Sequence, residues 1–479
     1  MKPQYFPETP TQVWNFFHAI TQVPRPSKHE EKIRRYIVGE AERLQLEYKV
    51  DNVGNVIIYV PASAGYESHA PVIIQNHMDM VTDATPDRKI NFNEDPIITI
   101  VEGEWLTADR TTLGADNGIG CAAALALMED RTLKHPPLEI LFTVDEETGL
   151  VGAWGVVGEN FKGRKLINLD TEEWGSLYIG CAGGIDYDFE KKYQLQSAKM
   201  SKGAKLTVGG FIGGHSGVDI HEQRGNALKF LFEIIKEAGV SELELAEVRG
   251  GKAHNIIPRD AFAYLNTNNL EKLKLASEVV QARWKSFQPK KDQSFFYNIE
   301  EADVYPEVLA EASAKEMMNF VLAFPHGAHK YDLEGEKLVA LSDNMAIILF
   351  VRGQFYLRSS LRFFDRGECV GLENQIQALG DAFGMDYKKN GEYPSWKPVR
   401  ENSLLDLVSS EYEKIFGSKP EVKAIHAGLE CGILRDKIGP IEAVSMGPTI
   451  TGAHSPDERV HIPSVEKFWT LLTATLASL

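Results

Sequence analysis

The sequence predicts an α/β domain, with a mixed central sheet and helices on both faces, interrupted by a large inserted α+β domain with apparent internal duplication. Three observations predict it. Short apolar runs of strand character alternate with helical patterns through the first part of the chain. The pattern changes after about Gly184, where the order strand, helix, strand, helix recurs as a weak duplication. Four apolar runs lead into a histidine or a carboxylate, three before the inserted region and one after it, so the first domain is begun, left and completed. The expected boundaries are 1–186 and 391–479 for the two parts of the first domain and 187–390 for the insertion.

The elements follow in order. Thr11 to Thr21 reads as a helix that ends before Pro24. Ser27 and Glu30 have the spacing of a capping box for a helix through Leu44. Val56–Val60 and Val72–Gln75 are strand-like. Gly114 to Glu129 is rich in small residues and then helical. Leu138–Val144 and Leu166–Leu169 are further apolar runs. In the insertion, Lys205–Val208, Ala261–Asn266, Ile347–Phe350 and Gln354–Arg358 read as strands. Ala227–Ala238, Leu273–Phe287 and Ser313–Leu322 read as helices. Ala443–Met446 is the expected last buried strand.

The 479 residues, 43% of them hydrophobic, suffice for a large core and two or three domains. The balance of 51 Lys+Arg against 68 Asp+Glu, net −17, argues against a nucleic-acid backbone or an anionic membrane surface as partner. The first twenty residues lack a run of signal-peptide length, and no stretch reads as a membrane span. Cys121, Cys181, Cys369 and Cys431 are far apart and form no C-x-x-C pair. The expectation is reduced thiols and a cytoplasmic location.

The chemistry is concentrated where the apolar runs end. Val72-Ile-Ile-Gln75 leads to His77 and Asp79. Leu138–Val144 leads to Asp145, Glu146 and Glu147. Leu166–Leu169 leads to Asp170, and Ala443–Met446 to a Gly/Pro loop that holds His454. In open α/β sheets ligands bind at the carboxyl edge of the strands, and such convergence brings together the nitrogen and oxygen donors a zinc site requires.

Each signal alone has an ordinary explanation. The pair His77 and Asp79 fits a surface strand end. The acidic run 145–147 fits a solvated turn. Asp116 fits a cap for the following helix. Asp170 fits a strand-end turn, and His454 is one of 13 histidines. Together they repeat one pattern four times. Two Zn²⁺ carry +4. Asp116, Glu147 and Asp170 carry −3, and one bridging hydroxide closes the balance. A shared carboxylate between ions about 3.5–4 Å apart is a usual arrangement for activating water. Without metal the three carboxylates would repel and raise one another's pKa.

The ordered motifs Asn76-His-Met-Asp79, Thr112-Leu-Gly-Ala-Asp-Asn-Gly118, Asp145-Glu-Glu-Thr-Gly149, Asn168-Leu-Asp-Thr-Glu172, Gly214-His-Ser-Gly217 and Gly452-Ala-His-Ser-Pro456 resemble the co-catalytic zinc exopeptidase family that contains aminoacylase, carnosinase and glutamate carboxypeptidase. The likeness spans essentially the whole chain and is nearest to the dipeptidase subgroup that accepts Xaa-His substrates. It implies a catalytic domain of the zinc-exopeptidase type and an inserted lid. It also implies two Zn²⁺ per chain, with Mn²⁺ or Co²⁺ able to substitute. By the resemblance, His77, Asp116 and Asp170 hold one ion, and Asp116, Glu147 and His454 hold the other. Asp79 orients His77, and Glu146 is the general base that serves a zinc-bridged hydroxide. A cis peptide after Asp116 is implied as well. His215 donates to the oxyanion. Asn255 and Arg358 bind the substrate carbonyl and carboxylate, the latter through a two-point fork. Gly428 and Glu430 belong to a substrate-floor loop. The implied partners are a dipeptide and, through the lid, a second copy of the chain. Aminoacylase, deacetylase or tripeptidase activity fits the same metal residues, and a non-catalytic metal-binding protein is the rival of a different class. Glu146, which need not bind metal, argues against that last reading.

Overall fold

The computed structural model describes residues 2–332, 338–399 and 401–479. It divides into two compact units. Unit 1 comprises Met1–Gly180, Trp396–Ala424 and Leu429–Leu479; unit 2 comprises Cys181–Ser395 and Ile425–Gly428. The crossing points lie a few residues outside the expected 187 and 390. Strand Gly183–Lys192 already pairs with Gln354–Phe363 from its first residue, and strand Asp386–Tyr393 pairs with it as well, so both belong to unit 2.

Unit 1 is built on an eight-stranded mixed sheet. Four neighbouring strands, in the spatial order Leu138–Thr143, Val72–His77, Lys165–Asn168 and Glu442–Ser445, all run parallel. The first three are buried almost throughout and carry continuous apolar runs, as parallel strands covered on both faces must. Helix Thr11–Thr21 is as expected and buries Trp14, Phe16, Phe17 and Ile20. Helix Ala115–Glu129 is apolar all round and lies buried in the core.

The expected capping box at Ser27 does not form. Helix Glu31–Arg43 has no side-chain cap, and the Ser27 hydroxyl donates instead to Asp79 Oδ2 at 2.8 Å. The Glu30 carboxylate accepts from Lys28 N and Asp145 N. A distant carboxylate recruited the hydroxyl that local spacing assigned to the helix.

Unit 2 contains a nine-stranded antiparallel sheet whose strands and helices share one large core, with a small second cluster at Ile220, Ile257 and Val339. The duplication has a clear topological form. Strand Lys202–Gly209, helix Ala227–Ala238, strands Leu243–Gly250 and Ala261–Thr267, helix Leu270–Lys285 and strand Phe296–Ala302 make one β-α-β-β-α-β unit, its strands lying in the order fourth, first, third, second. Strand Gly183–Lys192, helix Glu311–Ala323, strands Val339–Val351 and Gln354–Phe363, helix Arg366–Ala382 and strand Asp386–Tyr393 repeat that order. The first unit is inserted after the first strand of the second. The two halves join where Leu243–Gly250 meets Val339–Val351.

Candidate metal centre

The four parallel strands of unit 1 place their carboxyl ends on one edge. His77 is the last residue of its strand and is buried. Its Nε2 lies 3.1 Å from Asp116 Oδ1 and 3.3 Å from Asp170 Oδ1. His454 Nε2 lies 3.1 Å from Asp116 Oδ2 and 3.0 Å from Glu147 Oε2. Asp116 therefore turns one carboxylate oxygen toward each histidine. It is not a cap for the helix it opens: Gly114 holds the cap position, and Asp116 itself is non-helical at φ −80°, ψ 115°. The peptide Asp116–Asn117 is cis, as the resemblance implied. Asn117 Nδ2 donates to Leu169 O at 2.7 Å, tying this turn to the strand end that carries Asp170.

Among the described residues four groups are close enough to hold an ion: His77 with Glu146 and Glu147, Glu30 with Asp79 and Asp145, and the two donor sets of the resemblance, His77 with Asp116 and Asp170, and Asp116 with Glu147 and His454. These two donor sets suit a divalent cation in three ways. The donors are imidazole nitrogen and carboxylate oxygen, the zinc-type mixture. Bonds of about 2.0–2.2 Å at tetrahedral angles put donor atoms about 3.3 Å apart, close to the separations found. Each Nε2 also faces two carboxylates, although it has only one direction in which to donate. Glu147 Oε1 is buried with no hydrogen-bond partner.

The electrostatics agree. Burial drives the Asp170 carboxyl up to about 7, helped by Asp116 and Glu147 and opposed by His77. Burial also raises Glu147, reinforced by the Asp116 charge. For Asp116 burial acts upward too, but the contacts with His454 and His77 prevail and hold it low. Carboxylates crowded this closely need positive charge.

Asp79 and Glu146 complete the surroundings. Asp79 is fully buried, with Oδ1 3.3 Å from His77 Nδ1. It accepts from Ser27 Oγ, Glu146 N and Glu147 N, so it fixes the turn that carries the two glutamates beside the ring of His77. Asp145 enters that turn at φ 48°, and His454 is at φ 63°. Such values cost a non-glycine residue of the order of 1–3 kcal/mol and persist only where the surroundings impose them. Burial, with Glu147, Asp170 and Glu430 nearby, raises the Glu146 carboxyl well above its ordinary value. A carboxyl so placed accepts a proton readily.

The remaining expected residues divide between the units. Glu430 lies in unit 1 at the start of helix Glu430–Ile438, fully buried, accepting from Gln75 Nε2 at 2.5 Å and Thr143 Oγ1 at 2.6 Å. Two buried polar side chains thus fix its carboxylate, whose charge bears on Glu146. Gly428 belongs to unit 2, where a side chain would press on Tyr393.

His215 also lies in unit 2. Its Nδ1 accepts from Gly217 N and Val218 N at 3.2 and 3.1 Å, which leaves the ring proton on Nε2. Asn255 is half-buried, and its carbonyl accepts from Ser216 N. Arg358 donates from Nε and Nη2 to Asp188 at 2.6 and 2.7 Å, so its fork is already engaged. The fork expected to serve a substrate carboxylate is paired with Asp188 in this structure.

Reading the sequence alone missed Arg362, four residues further along the same strand and of the same parity. It is buried beside Ser216 Oγ and donates from Nη1 to Tyr393 Oη at 3.1 Å. His426, also in unit 2, pairs through Nε2 with Ser342 Oγ at 2.7 Å. Burial, with the Arg362 charge, pushes it down to about 3 and keeps it neutral. Strand periodicity was the available signal, since it places positions 358 and 362 on one face.

The model of peptidase family M20/M25/M40 matches residues 73–478. The cytosol non-specific dipeptidase of Escherichia coli K12 is 37% identical over 475 residues, covering 98% of this chain and 97% of that protein. The crystal structure of aminoacylhistidine dipeptidase from Vibrio alginolyticus superposes with a TM-score of 0.83 at 36% identity, covering 98% of this chain and 97% of that one. A tripeptidase from Staphylococcus aureus, 14% identical with a TM-score of 0.56 and coverage of 98% and 97%, shares the fold. With its matched span running from before His77 to beyond His454, the chain belongs to peptidase family M20/M25/M40.

Proposed function

We propose that the protein is a metal-dependent dipeptidase. The carrying observation is the Asp116 carboxylate shared between His77 and His454, with Glu146 beside them. Two divalent cations held by these donors would supply the Lewis acidity that activates water and polarises a peptide carbonyl. Zn²⁺ suits the donor set best, and Mn²⁺ or Co²⁺ fits it too.

The chain's own residues supply the rest. Asp79 fixes the His77 ring. Glu146 takes the proton of the attacking water and delivers it to the leaving amine nitrogen as the C–N bond breaks. His215, with its proton on Nε2, donates to the oxygen that gains charge. Asn255 helps to bind the substrate carbonyl. Arg362, rather than Arg358, caps the dipeptide carboxylate. A preference that includes Xaa-His dipeptides is supported by the names of the two near relatives. The name of the first also supports action in the cytosol. Among the described residues no helix is long and apolar enough to cross a membrane. A homodimer through unit 2 belongs to the same reading, supported by its edge strand Phe296–Ala302, which exposes Phe296.

The test is hydrolysis by zinc-loaded protein of carnosine, Gly-His and other dipeptides, compared with tripeptides and N-acetyl amino acids. Release of amino acids from dipeptides is expected. Turnover of N-acetyl amino acids alone would reject the dipeptidase reading in favour of an aminoacylase.

A further inference from the structure

Two buried charged side chains outside the donor sets bind the segments that carry them. Glu458 is 2% exposed. Its Oε2 accepts from Leu113 N and Gly114 N at 2.7 and 2.9 Å, and its Oε1 from Ala115 N and Asp116 N at 2.7 and 3.3 Å. Four consecutive backbone donors thus close on one carboxylate that follows His454 by a few residues. Arg25 is 3% exposed. Its Nη1 donates to Met78 O and Asp79 O at 3.0 and 2.6 Å, and its Nη2 donates to Gly114 O. Arg25 therefore joins the segment after His77 to the Asp116 turn, and Glu458 joins that turn to the His454 loop.

The competition at the helix start gives this arrangement its consequence. An aspartate in the first turn is the ordinary partner of unpaired N–H groups there. Glu458 takes the first two of them, Ala115 N and Asp116 N, with the two N–H groups just before the helix, so Asp116 is not drawn back onto these as a cap and keeps both oxygens for the two histidines. Arg25 places a fixed positive charge under the same turn, near the Glu458, Asp79 and Asp116 carboxylates. Neither side chain belongs to a donor set.

We propose that Glu458 and Arg25 are positioning residues that set the metal affinity of the two donor sets unequally, Glu458 chiefly that of Asp116, Glu147 and His454, and Arg25 chiefly that of His77, Asp116 and Asp170. The inference rests on the metal-centre reading above. Glutamine at 458 keeps the shape but turns an N–H₂ group toward backbone donors. Lysine at 25 keeps the charge but loses the fork.

The test uses the full chain, stripped by chelator and titrated with Zn²⁺ against a competing chelator, with Co²⁺ absorption reporting geometry at each site. Glu458→Gln and Arg25→Lys should each weaken one of two binding steps by about 10–100-fold and should differ in which Co²⁺ band they alter. In both, kcat should fall with KM little changed. Equal Zn²⁺ affinity and an unchanged Co²⁺ spectrum, even with a lower melting temperature, would reduce Glu458 to a helix cap and overturn the proposal. Should Glu458→Gln fail to fold, Glu458→Asp and Arg25→Lys are read against the same two outcomes. No peptide is present in the titration. A wild-type chain that binds no Zn²⁺ would defeat the metal-centre reading, whereas variants that bind as the wild type does would defeat this inference alone.

Discussion

Arg358 and Asp188 stand opposite each other on adjacent antiparallel strands of unit 2 and form a two-point ion pair at 2.6 and 2.7 Å. Tyr356 Oη and Asn390 Nδ2 donate to the same carboxylate. An arginine so committed is costly to redirect, whereas Arg362 is held by two neutral oxygens. Arg362→Met is therefore expected to raise KM for dipeptides by about 10–100-fold, the range of a lost charge-assisted hydrogen bond. Arg358→Met should change KM by less than about threefold. Steady-state kinetics on one dipeptide with both variants decides between them, and the reverse order would restore Arg358 as the carboxylate ligand.

Glu146→Ala should bind metal as the wild type does and lose at least about a hundredfold in kcat, the contribution of a positioned general base. Metal analysis alongside a peptidase assay checks this. Near-normal turnover would remove Glu146 from the proton path.

Exhaustive chelation should abolish hydrolysis, and Zn²⁺, Mn²⁺ or Co²⁺ should restore it. Because a cation binds only the folded arrangement of donors, the stripped chain should also melt at a lower temperature. Asp116→Asn should impair both binding steps, since Asp116 is common to both donor sets. Loss of only one step would show that Asp116 does not bridge.

In unit 2, Asp343 is fully buried, with Ser359 Oγ donating to its Oδ1. Burial pushes its carboxyl up to about 7 from 3.8, against the pull of Ser359 and Lys229. The folded chain thus keeps a proton that the unfolded chain releases once the pH passes its ordinary carboxylate range. This contribution to stability is complete below about pH 4 and is lost as the pH rises through 7, at a slope of at most about 1.4 kcal/mol per unit. Asp343→Asn accepts the same hydrogen bond and cannot ionise. Its stability, followed by urea unfolding at about pH 5 and pH 8, should fall less than that of the wild type. Parallel curves would refute the assignment.

How much of this was legible in the sequence depends on how far apart the partners lie. His77, Asp145–Glu147 and Asp170 each follow an apolar run, and parallel pairing of those runs puts their ends on one edge. The donor sets were therefore readable from local pattern and family order. Ser27 was misread because its hydroxyl serves Asp79, not the helix three residues on. The pairing of Arg358 was not legible because its partner, Asp188, lies on the far side of an inserted repeat. The burial of Glu430 was not legible because its partners, Gln75 and Thr143, lie far from it in the sequence. Glu458 and Arg25 went unnoticed because their partners are backbone groups, which leave no residue type to recognise.

The interrupted order of unit 1 has a consequence for synthesis. A ribosome delivers His77, Asp116, Glu147 and Asp170 first and then all but a few residues of unit 2. Only afterwards does it deliver strand Glu442–Ser445, which completes the parallel set, and His454 behind it. The donor set of His77, Asp116 and Asp170 is complete in sequence long before the other. On the proposed two-cation reading, capture during translation would be staged: the first donor set would be available early, while the second would await the returning segment.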